Sequence, residues 1–364
     1  MYSALLMSSG LTFGAIAALY GLSHGIIDKG QYSVLVGAVI ASGIVPTMIA
    51  GNYFVPRHLL SKAKPAESQN DEESERHIMF DKILHASDGS EQAFQALALA
   101  LALAKQNNSE MHMVCVEEAP YVSELIEEAR DATIVAGSHI ESVLQRARKM
   151  AEERQLTLHT HVITGHPVRD IITLAADLDA NLLVIGARGH SAFYGRLIGS
   201  KAERITQLAR CPVLVVKHDE AKVFRPTFGK ILHAIDGSKH SFQALELALG
   251  LAKLNNSELH TVCVEELPYP EQVGENRPVT PEVRGRIETV LVKARAMAEE
   301  RQVTLHTHVV AGRPVHVIVK LAAELDVDLL VFGAQGHSAL YQRIIGSKAD
   351  RMMQLAPCPV LVVK

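Results

Sequence analysis

Most of this chain is one segment written twice, and that duplication limits its fold more than any other feature. Lys82-Ile-Leu-His-Ala-Ser-Asp88-Gly89-Ser90 returns as Lys230-Ile-Leu-His-Ala-Ile-Asp236-Gly237-Ser238. Asn107 to Glu118 returns as Asn255 to Glu266, Ala151 to His161 as Ala298 to His308, and Cys211 to Lys217 as Cys358 to Lys364. The offset is 148 residues from Asp88 to Asp236 and 147 from Gly186 to Gly333, so one residue was gained or lost inside the copy. A period this long is no solenoid repeat; it is a whole domain of ordinary size copied once. The sequence therefore predicts domains at 79–217 and 229–364, joined by a linker at 218–228 that Pro226 and Gly229 punctuate.

Each copy alternates short apolar runs with helical periods. In the first, the pattern predicts strands at 82–87, 111–117, 156–163, 181–186 and 212–217. Helices are expected at 90–106, 123–154, 167–178 and 199–209. Continuous Val/Ile/Leu runs mark strands covered on both faces, hence parallel. The expected fold class is α/β: two doubly wound, open, parallel five-stranded sheets. Such sheets bind ligands at the carboxyl ends of their strands, near the topological switch. There each copy carries a glycine loop: Gly186-Ala-Arg-Gly189, nine residues, then Gly199-Ser200, and again Gly333-Ala-Gln-Gly336, nine residues, then Gly346-Ser347. Glycines after a buried strand let backbone approach a ligand, and the following helix N-terminus offers N–H groups to an anion. Asp88 and Asp236 end the first strand of each copy, and one ligand can touch both features only if those strand ends are neighbours.

The N-terminal region reads differently. Residues 1–56 contain one Asp, one Lys and no Arg or Glu. Tyr2 to Ile27 is 26 residues without a charge, and Tyr32 to Val55 is 24 more, interrupted by Pro46. About 20 such residues cross a bilayer, so residues 1–58 are expected to form an all-α transmembrane hairpin turning at Asp28-Lys-Gly-Gln31. Arg57, His58, Lys62 and Lys64 follow the second run and predict that this end faces the cytoplasm. An acid-rich linker at 59–78 would lead to the domains. The whole chain has net charge −4, which disfavours nucleic acid as a partner. Its four cysteines fall at equivalent places with no C-x-x-C pair, as small core residues do.

The strand-Asp-Gly-Ser start, the Gly-x2-Gly-x9-Gly-Ser loop and the closing Cys-Pro-Val-Leu-Val-Val resemble the universal stress protein family, over essentially all of 79–364 and in its ATP-binding branch. The resemblance implies ATP, alone or with Mg2+, as cofactor. By the same resemblance, Asp88 and the backbone of Val116 would hold ribose and adenine, while Gly186, Gly189, Gly199 and Ser200 would hold phosphates. In the second copy these become Asp236, Val264, Gly333, Gly336, Gly346 and Ser347. It also implies that the two final strands pair within the chain. The run Met7-Ser-Ser-Gly-Leu-Thr-Phe-Gly-Ala-Ile-Ala-Ala-Leu-Tyr-Gly-Leu-Ser-His-Gly-Ile-Ile27 and the Pro46 run resemble the last two helices of a bacterial sodium/proton antiporter of the monovalent cation:proton antiporter-2 type. Neither run holds the carboxylate that ion pathways need. The chain alone is therefore not expected to transport ions, and a split or truncated antiporter is the alternative.

Several other residues have a simple structural role beside a functional one. His159 with His161, and His306 with His308, alternate on one strand face without an evident third ligand, so a polar edge strand is expected and no metal. Glu117-Glu118 and Glu265-Glu266 are candidates for a cation beside phosphates, His190 and His337 for contact with them. Lys201 and Lys348 follow the loop serines and point either to phosphate or to solvent. No Walker Gly-Lys-Ser/Thr and no paired catalytic carboxylates appear. The expected function is a membrane-tethered, ATP-binding regulatory module at the inner membrane with its domains in the cytoplasm, not an enzyme; slow ATP hydrolysis is the lesser alternative.

Overall fold

The strands that the apolar runs anticipate join into a single layer. In the computed structural model, residues 20–24, 26–37, 79–118, 126–189, 198–217, 226–266, 281–336 and 345–364 are described. The first copy comprises β1 (Lys82–Ser87), α1 (Glu91–Asn107), β2 (Glu110–Glu118), α2 (Ile126–Glu152) and β3 (Leu158–Gly165). It continues with α3 (Pro167–Asp177), β4 (Leu182–Gly186), α4 (Ser200–Leu208) and β5 (Val213–Val216). The second repeats this as β6 (Lys230–Ile235), α5 (Lys239–Asn255), β7 (Glu258–Glu266), α6 (Pro281–Glu300) and β8 (Leu305–Gly312). Then come α7 (Pro314–Glu324), β9 (Leu329–Gly333), α8 (Ser347–Leu355) and β10 (Val360–Val363).

Instead of two separate five-stranded sheets there is one ten-stranded sheet, ordered β3-β2-β1-β4-β5-β10-β9-β6-β7-β8. The expected count of two sheets is corrected, while the expected pairing of the final strands is what joins them: β5 and β10 pair antiparallel, with Val213 opposite Val362, Leu214 opposite Leu361 and Val215 opposite Val360. Every other pairing is parallel. Each last strand is a four-residue Val/Leu run with an otherwise unpaired edge, and mutual pairing satisfies both edges at once. Successive side chains alternate faces, so Leu214 and Leu361 enter one core while Val213, Val215, Val360 and Val362 enter the other. Both cores run through the two copies without a break.

Two part-buried lysines fasten the seam. Lys217 Nζ donates to the carbonyls of Gln354 and Ala356 at 3.1 and 2.7 Å, and Lys364 Nζ donates to that of Thr206 at 2.6 Å. Each strand end thus caps the carboxyl end of the other copy's last helix, where carbonyls lack helical partners. Burial lowers both ammoniums to about 8.

The chain also divides into a compact unit at Arg76–Lys364 and another at Met1–Glu75. In the latter, residues 29–37 are helical. Asp28 and Gln31, expected in a polar turn, form a helix-starting box: Gln31 N–H donates to Asp28 Oδ1 at 2.7 Å, and Asp28 N–H to Gln31 Oε1 at 3.0 Å. No helix among the described residues is long and apolar enough to cross a membrane. Most of both apolar runs, the whole linker expected at 59–78, and residues 218–225 of the second linker lie outside the described residues.

Candidate functional site

The site begins where β1 stops. Asp88-Gly89-Ser90 turns the chain into α1, with Gly89 at φ +80°, a left-handed conformation that favours glycine. Ser90 caps α1, accepting from the Ala93 N–H at 3.2 Å, and its own N–H and hydroxyl donate to Asp88 Oδ1 at 3.0 and 2.6 Å. The second copy repeats the turn: Gly237 is at φ +85°, Ser238 N–H donates to Asp236 Oδ1 at 2.9 Å, and Ser238 Oγ accepts from Ser241 N–H at 3.3 Å.

The strand order makes β1 a neighbour of β4, with Ala86 opposite Ile185. The strand-end aspartate and the glycine loop therefore meet at the switch between β1 and β4. Contact is close enough that a Cβ on Gly189 would collide with the Asp88 carboxylate, and one on Gly336 would lie 2.7 Å from Asp236 Oδ2. Asp88, Val116, Gly186, Gly189, Gly199 and Ser200 line one cleft. Asp236, Val264, Gly333, Gly336, Gly346 and Ser347 line its counterpart. The second cleft is a cavity of about 440 Å3, the first of about 170 Å3.

The glycines divide by role. Gly186 and Gly333 face the first turn of α1 and of α5: an added Cβ would lie 3.4 Å from Ala93 N and 2.8 Å from the His240 carbonyl carbon. These two serve helix–strand packing. Gly199 and Gly346 were expected to offer backbone to phosphate, yet their N–H groups are already donated to Ala187 O and Ala334 O, both at 2.8 Å. The first turn of α4 (Ser200, Lys201, Ala202) and of α8 (Ser347, Lys348, Ala349) stays open to an anion, because its N–H groups have no helical acceptor. His190 and His337 lie outside the described residues.

The lysines after the serines each reach an acidic partner that the sequence did not mark. Lys201 pairs with Glu118 at the end of β2, and Lys348 Nζ lies 2.6 Å from Glu266 Oε2 at the end of β7. All four residues line the clefts, and each ion pair bridges the cleft between strand end and helix start. The repeated Ser-Lys and Glu-Glu pairs were the available signal, but no periodicity links residues 83 positions apart.

Away from the clefts, the edge-strand histidines gain a third member that their spacing does not reveal. His112 of β2 lies opposite His159 of β3 and places Nδ1 3.1 Å from His161 Nε2, while its Nε2 is 3.1 Å from Glu110 Oε1. His260, His306, His308 and Glu258 repeat the cluster. Burial lowers the pKa of His112, His161, His260 and His308. Among the described residues no three such groups are arranged to hold a metal ion. The four cysteines are free, and burial raises the thiols of Cys115, Cys211 and Cys263 to about 11.

Comparison with known proteins agrees with this architecture. The model of the universal stress protein family matches residues 79–217 and 227–364. Universal stress protein Rv2623 of Mycobacterium tuberculosis is 26% identical over 234 residues, covering 62% of this chain and 76% of its own. Universal stress protein MJ0531 of Methanocaldococcus jannaschii is 33% identical over 147 residues, 38% of this chain and 83% of its own. The crystal structure of a universal stress protein from Archaeoglobus fulgidus is alike in fold, with TM-score 0.57 and 24% identity over 78% of this chain and 96% of that one.

Proposed function

The chain belongs to the universal stress protein family, carrying two of its domains in tandem, and from that premise we propose that each domain binds an adenine nucleotide, ATP foremost. The observation that carries this reading is the convergence, twice, of a strand-end aspartate, a glycine loop and a helix start in one cleft at the sheet's switch point. The parts fit a nucleotide. The aspartate accepts hydrogen bonds from sugar hydroxyls, Val116 or Val264 lends apolar surface and backbone to the base, and the first turn of α4 or α8 receives phosphate. Mg2+ is an admissible companion beside the phosphates. Calorimetry on the full chain tests the reading. The double variant Asp88→Asn, Asp236→Asn keeps an acceptor for Ser90 and Ser238 but removes the charge, and weakens ATP by about tenfold or more. Unchanged affinity would overturn the assignment.

The clefts bind rather than turn over. The domains act as a nucleotide-responsive regulatory module rather than as an enzyme, a reading supported by the lack of a Walker Gly-Lys-Ser/Thr motif in the sequence and of paired catalytic carboxylates at its glycine loops. Phosphate release above background from the purified chain with ATP and Mg2+ would refute this. The charge-free runs Tyr2–Ile27 and Tyr32–Val55 support a membrane tether at the inner membrane with the domains in the cytoplasm, and a cation/proton antiporter as the regulated partner. The same runs favour a second reading, the C-terminal part of a split antiporter that transports only with its missing core. Full-length protein recovered in the soluble fraction would exclude both.

A further inference from the structure

We infer that Lys201 and Lys348 are the residues through which each cleft distinguishes the charge of its ligand, and that their ion pairs with Glu118 and Glu266 are latches a polyphosphate must exchange. The inference rests on the nucleotide reading above and deepens it by naming a specificity determinant outside the glycine loop.

Lys201 is the second residue of α4 and Lys348 the second of α8, so each ammonium is carried on the helix turn whose unused N–H groups attract an anion. Each lysine nonetheless reaches across the cleft to the last residue of β2 or β7. That glutamate stands two residues beyond Val116 or Val264, the position expected for the base. The bridge therefore spans the path between the base end and the phosphate end of the cleft.

Both partners of each pair are about half exposed, at 53% and 57% in the first copy and 53% and 56% in the second. Exposed pairs of this kind contribute little net stability, because water and salt compete for both charges. A phosphate group offers the same ammonium several oxygens and more charge, beside a helix start that already favours anions. The lysine stem is long and freely rotating, so the exchange needs no backbone movement. A monophosphate has little to offer beyond what the helix start takes, whereas a triphosphate has charge left for the lysine. The latch thus converts phosphate number into affinity and frees a glutamate at the cleft mouth when a triphosphate arrives. The bridge appears at the same two positions in both copies, although the loops around it differ at Arg188 and Gln335.

Calorimetry of the full chain with ATP, ADP and AMP tests this, comparing wild type with Lys201→Ala/Lys348→Ala and Glu118→Gln/Glu266→Gln. The lysine variant should lower the ATP-to-AMP affinity ratio about tenfold, the loss of one charge-assisted hydrogen bond, and Lys→Arg at both positions should restore most of it. The glutamate variant should tighten ATP several-fold, because the lysine no longer has to be released. An unchanged ATP-to-AMP ratio in the lysine variant, or weaker ATP binding in the glutamate variant, overturns the latch while leaving the nucleotide reading intact. Failure of the wild type to bind any of the three nucleotides overturns that reading first, and the latch with it.

Discussion

His85 and His233 sit in the first strand of each copy with no exposed surface. Burial pushes both down to about 4 from an ordinary 6.5. The two are written into identical Lys-Ile-Leu-His-Ala stretches, yet they are held differently. His85 Nδ1 donates to Val184 O at 3.0 Å and its Nε2 has no partner. His233 Nε2 donates to Ser241 O at 2.9 Å, and its Nδ1 is 2.6 Å from the Thr261 hydroxyl. Thr261 and Ser241 replace Met113 and Ala93, two polar side chains that the repeat alone does not mark as partners. Because the folded pKa is depressed, the neutral form stabilises the fold fully above pH 6.5, and that contribution is lost as pH falls through about 4. At about 1.4 kcal/mol per unit, each histidine forfeits on the order of 3 kcal/mol. Urea denaturation should therefore show falling stability between pH 6.5 and 4, with a shallower slope in His85→Gln/His233→Gln. The buried His112 and His260 and the part-buried His161 and His308 shift in the same direction and leave a residual slope. A variant slope equal to wild type would contradict the assignment.

Elements were the most legible scale. Continuous apolar runs and three- and four-residue periods located every strand and helix of the first copy to within a few residues, because both patterns record burial and burial follows from layer order. The structure supplies the reason for the helix starts: Ser90 and Ser238 cap, and Pro167 and Pro314 occupy first turns. What each glycine does was not legible, since a glycine that admits a ligand and one that admits a helix are the same letter. Gly333→Ala puts a methyl 2.8 Å from the backbone of His240 and should cost about 1–3 kcal/mol by overpacking. Gly346→Ala meets nothing closer than Ala334 O at 3.6 Å, at φ −63°, and should stay within about 0.5 kcal/mol of wild type. Equal losses in the two variants would refute the division of roles.

At the scale of the whole molecule, the β5–β10 seam turns a tandem repeat into one sheet with two continuous cores. The residues from 76 onward should therefore unfold in one calorimetric transition whose van't Hoff and measured enthalpies agree. Two resolved transitions, one per copy, would show that the seam does not couple them. Lys217→Ala/Lys364→Ala leaves helix-end carbonyls of α4 and α8 without their donors. It should lower stability by about 1 kcal/mol per lysine while keeping the single transition. The far edges, β3 and β8, carry the histidine clusters and alternate exposed with half-buried residues, a pattern that discourages further strand addition.

The sequence by itself determined the duplication, the α/β class, the element order and the two strand-end constellations, all of which are written in local periodicity and in spacing along the chain. Tertiary structure alone decided which distant groups share an atom's contact. It set the antiparallel register in which the two final strands pair and so merged two sheets into one. It occupied the amides of Gly199 and Gly346 within their own loops, and it carried Lys201 to Glu118 and Lys348 to Glu266. It also set His112 beside His161, and Lys217 and Lys364 on the carbonyls of the opposite half. The physical reason is common to all of these. Burial pattern is a property of single elements and leaves a period in the sequence, whereas hydrogen bonds and ion pairs between elements depend on register and crossover, which no short-range period records.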